Sequence, residues 1–489
     1  MRSWPRSSAR RTGELANLSR SPSTDHAYPT GAAPRSATGS PELGPAGARG
    51  LVGLVVIRTW CHRALRPLSC PMRYAMIMAG GAGTRLWPMS RKSAPKQLIK
   101  FIERSATGGD KGSASRPSGQ RSLLELAAAR LEGLVPPERR YICTAEAYRP
   151  AIRSDLPSFT DDRILGEPQG RDTINAVAFG AAVLSKRDPE AVFAVLTSDH
   201  IIEPDEVFKD RMNIAFKLVE ADPRRLVTFA IKPTYPATGF GYVQRGMPIH
   251  LPGAGPTSGA ALGNSGSSAQ ASSTDASGSA SGPQAFLVER FVEKPDLARA
   301  QAYVQSGEFG WNSGMFVWQA HKFLECLHRF KPECHAGIME IQDAWGTPRQ
   351  DAVLNRVYPT LPKVSVDYGV MEPVAAAMKP GPDGKPVDSI AYVCTVPMDV
   401  RWLDVGSWPS YAQTLEPDSS GNRRAGAGPS MVVQGKNNLV VNARPNQTIA
   451  MLGVDELIVV QTADALLIMP RAKAEELKTL HGMLNEDLK

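Results

Sequence analysis

Residues 74–97, YAMIMAGGAGTRLWPMSRKSAPKQ, constrain the fold of this chain more than any other stretch. Residues 74–78 form a short apolar run without polar alternation, which reads as a strand covered on both faces in a parallel sheet. Gly80, Gly81 and Gly83 follow at once. Glycine backbone turns tightly and approaches a ligand closely, so free amides there can converge on an anion. Pro88 and Pro95 oppose a regular helix, which puts Arg85 and Lys96 on a loop wrapped around that anion. Phosphate suits this set. The loop is not a Walker A loop, because no Gly-Lys-Ser/Thr follows the glycines, nor a dinucleotide fingerprint, because Leu86 stands where the third glycine belongs. For the glycines taken alone, an ordinary strand-to-loop turn is the plain alternative.

The whole string resembles the opening signature of the nucleotide-sugar pyrophosphorylases, and its Arg-Leu-Trp-Pro and Pro-Lys-Gln parts resemble their mannose-1-phosphate guanylyltransferase branch. The resemblance implies an α/β fold with a Rossmann-like, mostly parallel mixed sheet flanked by helices, of the GT-A-like nucleotidyltransferase kind. It also implies that Gly80, Gly81, Gly83, Thr84 and Arg85 bind a nucleotide, and that Arg85 and Lys96 act in catalysis.

Charge adds little to this reading. The net charge is +8, but residues 1–71 hold ten Arg, no Lys and three acids (Glu14, Asp25, Glu42), hence +7, leaving +1 for everything else. The balance therefore gives no argument for a nucleic-acid surface on the folded body. The leader is rich in Arg, Ser, Pro, Gly and Ala without apolar periodicity, so it is expected to be disordered. It also has the Arg-rich, acid-poor character of an organelle transit peptide, while translation beginning at Met72 is the simpler expectation. Its apolar run, residues 51–57, falls short of the roughly 20 residues a bilayer requires and lies too far along for a secretory signal. With no other transmembrane candidate, and six cysteines without Cys-x-x-Cys or zinc-like His spacing, a cytoplasmic protein with reduced thiols is expected.

Beyond the loop, residues 122–134 read as an amphipathic helix after a Gly/Ser surface insertion at 105–120, and strand and helix candidates then alternate, as in a parallel α/β sheet. Such sheets bind ligands beyond the carboxyl ends of their strands. The segment EPQGRDTINAVAFGAAVL from Glu167 ends in a helix with Asp172 or Thr173 as the expected cap, an anion-friendly start. It resembles the family segment that contacts the nucleotide, which implicates Arg171 and Thr173, although Ile174-Asn175 replaces the usual Ala-Pro. Residues 191–196 form another apolar strand that delivers Thr197-Ser198-Asp199-His200 to the same edge. A carboxylate facing a phosphate loop suits magnesium. By resemblance Ser198 lies on the nucleotide and Asp199 binds the metal.

Gly239 and Gly241 are placed to let backbone approach a sugar ring, or simply to bend a hairpin. A Gly/Ser/Ala stretch, residues 252–284, then reads as a disordered loop inserted between two strands. Glu293 and Lys294 offer an acceptor for hydroxyls and a point charge for a second phosphate. Trp311-Asn312-Ser313-Gly314 puts polar groups inside an apolar run, where they need partners. These segments, and the motif around Asp367 with Pro373 where a basic residue is usual, resemble the family's sugar-phosphate site, with Gly239, Glu293, Lys294, Asn312 and Asp367 as substrate-binding residues. Asp404, in Arg401-Trp402-Leu403-Asp404, resembles the second metal carboxylate.

The expected division is a leader over 1–71, a catalytic domain over 72–415 and a small β-rich module over 416–489 ending in a helix, packed on the catalytic domain or on a partner subunit. No room is expected for the cupin-type isomerase domain of some longer relatives. What the resemblance implies is transfer of GMP from GTP to mannose 1-phosphate with Mg2+ at Asp199 and Asp404, in a homodimer without nucleic-acid or membrane partners. A sister enzyme using another base or sugar, and a catalytically silent nucleotide-sugar-binding subunit, are the alternatives.

Overall fold

The computed structural model describes residues 72–81, 83–102, 121–249, 251, 284–378, 381 and 389–489. The leader and residues 252–283 of the Gly/Ser/Ala stretch, both expected to be disordered, and the expected surface insertion at 105–120 lie outside these residues.

Nine strands build the central sheet: β1 Arg73–Met78, β2 Arg140–Ala145, β3 Ile164–Glu167, β4 Val192–Thr197, β5 Arg225–Ile231, β6 Tyr242–Ile249, β7 Ala285–Val292, β8 Phe309–Gln319 and β9 Tyr392–Met398. Their order across the sheet is β3-β2-β1-β4-β8-β5-β9-β7-β6. The four strands from β3 to β4 are all parallel. On the other side β8 runs antiparallel to β4 and β5, β9 is parallel to β5, and β7 pairs antiparallel with β9 and β6, so the sheet is mixed.

The apolar runs are continuous because both faces are covered. Along β1 and β4, Met76, Phe193 and Val195 enter one core with helices Asp172–Arg187, Ala320–Phe330 and Pro332–Ala344. Their neighbours Ala75, Ile77, Ala194 and Leu196 enter the other core with helices Leu123–Arg130 and Asp205–Ala221, as a two-residue side-chain period requires. Helix Leu123–Arg130 begins in a capping box: Ser122 Oγ accepts from the Glu125 N–H at 3.1 Å while Glu125 Oε2 accepts from the Ser122 N–H at 2.6 Å.

The helix expected to carry a side-chain cap at Asp172 or Thr173 starts at Asp172 without one. Asp172 instead takes a left-handed φ of 64° and its carboxylate accepts from the Thr173 N–H at 2.8 Å, one residue too early to cap. The departure at Ile174-Asn175 has a structural use. Ile174 is fully buried, and Asn175 Nδ2 donates to the carbonyls of Arg171 at 2.8 Å and Pro362 at 2.7 Å, tying the helix start to the segment before Asp367.

After helix Trp408–Ala412 the chain coils. Strands Arg423–Ala425, Leu439–Asn442 and Leu457–Gln461 pair in parallel in one sheet, and Ser430–Val433 pairs in parallel with Ile449–Leu452 in a second. Val440, Met451 and Val459 fill the space between them. Leu466–Pro470 closes the first sheet antiparallel, and the expected helix over the last residues divides into a 3-10 stretch, Arg471–Glu476, and helix Leu477–Met483. Beyond that small cluster, the coil shares its interior with the body. Leu439, Val441, Ile458, Val460, Leu467, Ala474 and Leu477 share one cluster with Leu86, Trp87, Ile201, Val405 and Trp408 of the body. Among the described residues no helix is long and apolar enough to cross a membrane, and Cys143, Cys326, Cys334 and Cys394 are free and buried.

Candidate active site

Parallel pairing sets the site. Met78 lies opposite Cys143 on one side and Thr197 on the other, so the segments following β1, β2 and β4 leave the sheet together. Gly80 and Gly81 are exposed there, and a Cβ on Gly80 would lie 4.0 Å from Glu167 Oε2 at the end of β3. Gly83 is required on two grounds: its φ is 64°, and a Cβ would stand 2.5 Å from the Lys96 Cβ. Lys96 packs across it and extends its ammonium to Asp199, with which it forms an ion pair. Ser90 Oγ–H donates to the Gly83 carbonyl at 2.7 Å, and Gln97 Nε2 and Thr144 Oγ1 donate to the Ala79 carbonyl at 2.7 and 2.9 Å, so both ends of the loop are tied down.

Asp404 arrives from far along the chain. Strand Arg401–Asp404 pairs antiparallel with His200–Glu203, setting Asp404 opposite His200, and the Val405 N–H donates to the Asp199 carbonyl at 3.0 Å. Ligand atoms of Asp199, His200 and Asp404 all lie within 4.8 Å of one another, the one such acidic/His group among the described residues. Burial opposes the Asp199 charge, yet the Lys96 ammonium holds its carboxyl well below the usual carboxylate range. Burial and then the Asp199 charge push Asp404 the other way, upward. A cation placed between the two would relieve both costs.

His200 is not positioned to ligate that cation. The Trp402 indole only donates, and its Nε1–H meets His200 Nδ1 at 3.2 Å. Thr197 Oγ1 lies 2.6 Å from the same atom. Nδ1 is therefore the acceptor and Nε2 carries the proton, 3.8 Å from Asp199 Oδ1. Burial lowers the His200 pKa, which keeps the ring neutral.

Arg85 sits beside Asp404: a Cβ on Gly406 would lie 3.1 Å from both Arg85 Nη2 and Asp404 Oδ1. Of the other nucleotide candidates, Thr84 opens the turn Thr84–Leu86, and the Ser198 N–H donates to the Met78 carbonyl at 3.2 Å. Thr173 Oγ1 accepts from the Val366 N–H at 2.9 Å, so part of its capacity is spent on docking that segment. Arg171 Nη2 donates to Gln169 at 3.2 Å while its Nε is buried without a protein partner.

A second cluster adjoins the first. Asn312 on β8 donates through Nδ2 to Asp367 Oδ1 at 2.8 Å and accepts at Oδ1 from the fully buried Thr228 hydroxyl at 2.7 Å. Lys294, with φ 46°, turns its ammonium back to Glu293 at 2.7 Å. A Cβ on Gly241 would lie 2.4 Å from Glu293 Oε2 and 3.3 Å from the Asn312 Cβ, whereas Gly239 is exposed with nothing within 4 Å of such a Cβ. The close approach anticipated at the two glycines thus falls on Gly241, and Gly239 borders open space. Burial, then the Glu293 charge, push the Asp367 carboxyl up to about 7. The clusters are joined through Gly314, whose Cβ would meet Thr197 Cγ2 at 3.7 Å, and through an aromatic row, Trp311 and Phe240 against Trp402 and Trp402 against His200.

Sequence reasoning passed over several of these residues. Thr228 and Trp402 lie in ordinary strand sequence and carry no local signal. Glu167, buried at the end of β3, accepts from the Tyr358 hydroxyl at 2.6 Å and faces the glycine loop, with its pKa raised by burial. Its position just before Pro168 was the available clue.

Residues 74–105 and 139–420 match the family model described as Nucleotidyl transferase. The chain belongs to the nucleotidyl transferase family. Residues 429–484 match a MannoseP isomerase/GMP-like beta-helix domain, which agrees with the coil described above. A mannose-1-phosphate guanylyltransferase of Klebsiella pneumoniae is 33% identical over 422 residues, 85% of this chain and 74% of that protein. Xanthan biosynthesis protein XanB of Xanthomonas campestris pv. campestris is 33% identical over 415 residues, 82% of this chain and 71% of that protein. A crystal structure from Thermus thermophilus, described as a mannose-1-phosphate geranyltransferase, superposes with a TM-score of 0.62 at 28% identity, over 83% of this chain and 98% of that one. Nucleotidyl transferases of this family typically use a divalent metal, and the Asp199 and Asp404 carboxylates, with His200 beside them, are where the described residues suit one.

Proposed function

We propose that this nucleotidyl transferase joins the GMP unit of GTP to α-D-mannose 1-phosphate, forming GDP-mannose and pyrophosphate. The observation that carries the reading is the adjacency of two clusters, Arg85, Lys96, Asp199 and Asp404 against Glu293, Lys294, Asn312 and Asp367, in a chain whose relatives are named for this reaction. A phosphate oxygen of mannose 1-phosphate attacks the α-phosphorus of GTP and the bond to the leaving pyrophosphate breaks. The nucleophile is already an anion, so no strong general base is needed, and catalysis rests on alignment and charge neutralisation. Arg85 and Lys96 take the triphosphate, and Lys294 takes the sugar phosphate. Glu293 and Asp367 accept from sugar hydroxyls, and Asn312 orients Asp367. The amides at Gly80, Gly81 and Gly83, with Thr84, Arg171, Thr173 and Ser198, hold the nucleotide, while Gly239 leaves room for the sugar.

Magnesium is the ion these residues fit, because Asp199 and Asp404 offer hard oxygens and an anionic surplus that Lys96 alone does not balance. Bound between them, it supplies neutralisation of phosphate charge. In this reading residues 72–415 are the transferase and 416–489 its module, working in the cytoplasm. The outer face of the module exposes Met431, Val433 and Leu452, apolar surface that a second copy in a homodimer would cover.

Assay of the purified protein against four nucleoside triphosphates and several sugar 1-phosphates tests the reading. Pyrophosphate release confined to GTP with mannose 1-phosphate is expected. Preference for another base or sugar would move the chain to a sister activity, and binding without turnover would make it a silent subunit.

A further inference from the structure

The loop that carries Arg85 and Lys96 is gripped from the far end of the chain. The Trp87 Nε1–H donates to the Leu488 carbonyl at 2.8 Å, and Arg91 Nη1 donates to the same oxygen at 2.5 Å. The Lys92 N–H donates to the Lys489 oxygen at 2.7 Å, and its side chain pairs with Glu486. Arg85 Nη1 donates to both oxygens of Glu475, at 3.2 and 3.0 Å. Beneath these contacts Leu86 and Trp87 are buried with Ala474 and Leu477 in the shared core.

Stability is a poor explanation for the polar part of this arrangement. Glu475, Glu486 and Lys92 keep most of their side-chain surface in solvent, where an ion pair contributes little. What the contacts share is their target, residues 85–92. Backbone bonds from Met89 and Ser90 to the Leu86 carbonyl, and between Arg91 and Ala94, shape the main chain of that stretch, but none of them fixes where the Arg85 side chain points. A cation that aligns phosphates has to be held to a fraction of an ångström. Arg85 is held on one edge by Glu475, and its Nη2 lies on the Asp404 side.

We propose that Glu475 and residues 486–489 are positioning elements of the nucleotide site. Glu475 aims Arg85, and the Leu488 and Lys489 oxygens fix the loop between Arg85 and Lys96. The inference rests on the phosphate-binding role given above to Arg85, and it makes the β-helical module a working part of the transfer reaction rather than an appendage.

The test uses the full-length chain with both substrates varied. Glu475→Ala is expected to raise KM for GTP about threefold or more, within the range of an exposed charge pair, with KM for mannose 1-phosphate unchanged. Glu475→Gln, which keeps an acceptor, recovers part of the loss. A chain lacking residues 486–489 is expected to lose about tenfold in kcat with Tm within about 3 °C, since misplacement rather than unfolding is responsible. Amide hydrogen exchange across residues 84–92 speeds up in the same variant. That readout needs no turnover, so an inactive parent enzyme would count against the proposed reaction while the exchange rates still decide the clasp. An unchanged KM for GTP in Glu475→Ala, an equal rise in both KM values, or a shortened chain with lower Tm but undiminished kcat and exchange would overturn the proposal.

Discussion

At the scale of single residues the site is governed by charge held at a cost. Asp199 and Asp404 lie together, the Lys96 ammonium pairs with Asp199, and burial, then the Asp199 charge, raise the Asp404 pKa. Asp404→Asn preserves size and one oxygen but removes the charge that magnesium selects, so folding should survive while kcat falls about 100-fold or more. Asp199→Asn should behave alike, and the double variant should lose much less than the sum, as expected of two side chains proposed to hold one ion. Steady-state kinetics of the three variants checks this, and near-normal magnesium-dependent turnover in Asp404→Asn would remove that residue from the mechanism. Asp367 gives a pH prediction. Its native pKa, about 7, lies above its ordinary value, so its contribution to stability is complete below the unfolded pKa and is lost as pH rises through about 7. Asp367→Asn does not titrate there. Its Tm relative to the parent should therefore climb between about pH 4 and pH 8, and two parallel Tm profiles would contradict the buried environment assigned to Asp367.

At the scale of elements, the sheet brings the Asn312 and Asp367 cluster beside the Asp199 and Asp404 cluster by letting β8 run antiparallel between β4 and β5. That crossing is tight. A Cβ at Gly310 would lie 2.6 Å from the Ala230 Cβ and 3.2 Å from the Ile231 carbonyl oxygen, so β8 and β5 must separate to accept one. Gly310→Ala is expected to destabilise the protein by about 1–3 kcal/mol, as overpacking does, measurable by urea unfolding. Because Asn312 lies two residues along and is held by Thr228 of β5, KM for mannose 1-phosphate should rise in the same variant. A stable variant with unaltered KM would show that the strands give way locally. Much at this scale was legible beforehand. The apolar runs at β1 and β4 announced strands with both faces covered, and the glycine loop fell at their carboxyl ends. The Asp172 start escaped because a left-handed backbone at a non-glycine residue leaves no mark in the sequence.

At the scale of the whole molecule, the module and the body are bonded through a common interior. Leu86, Trp87, Ile201, Val405 and Trp408 lose their cover if the module is removed, and the Trp408 indole, which donates to the Trp87 carbonyl at 2.9 Å, loses the layer that buries it. A chain ending at residue 415 should therefore expose a contiguous apolar patch and aggregate, while the full chain stays soluble under the same conditions. Size-exclusion chromatography of the two decides it. A soluble, active 72–415 fragment would mean that the shared interior is dispensable.

The sequence by itself determined the strand, the glycine loop and its basic residues, because these depend on local chemistry: apolar periodicity, glycine backbone freedom and the fixed φ of proline. It also named Asp199 and Asp404 as partners, though only through resemblance to a family. Tertiary structure alone decided how they meet, through an antiparallel pairing of His200–Glu203 with Arg401–Asp404 that no local pattern specifies. It also decided that His200 points a protonated nitrogen at Asp199, that Gly241 and not Gly239 abuts Glu293, and that Glu475 reaches Arg85. Each of these is a contact between distant segments, and distance along a chain carries no signal until packing closes it.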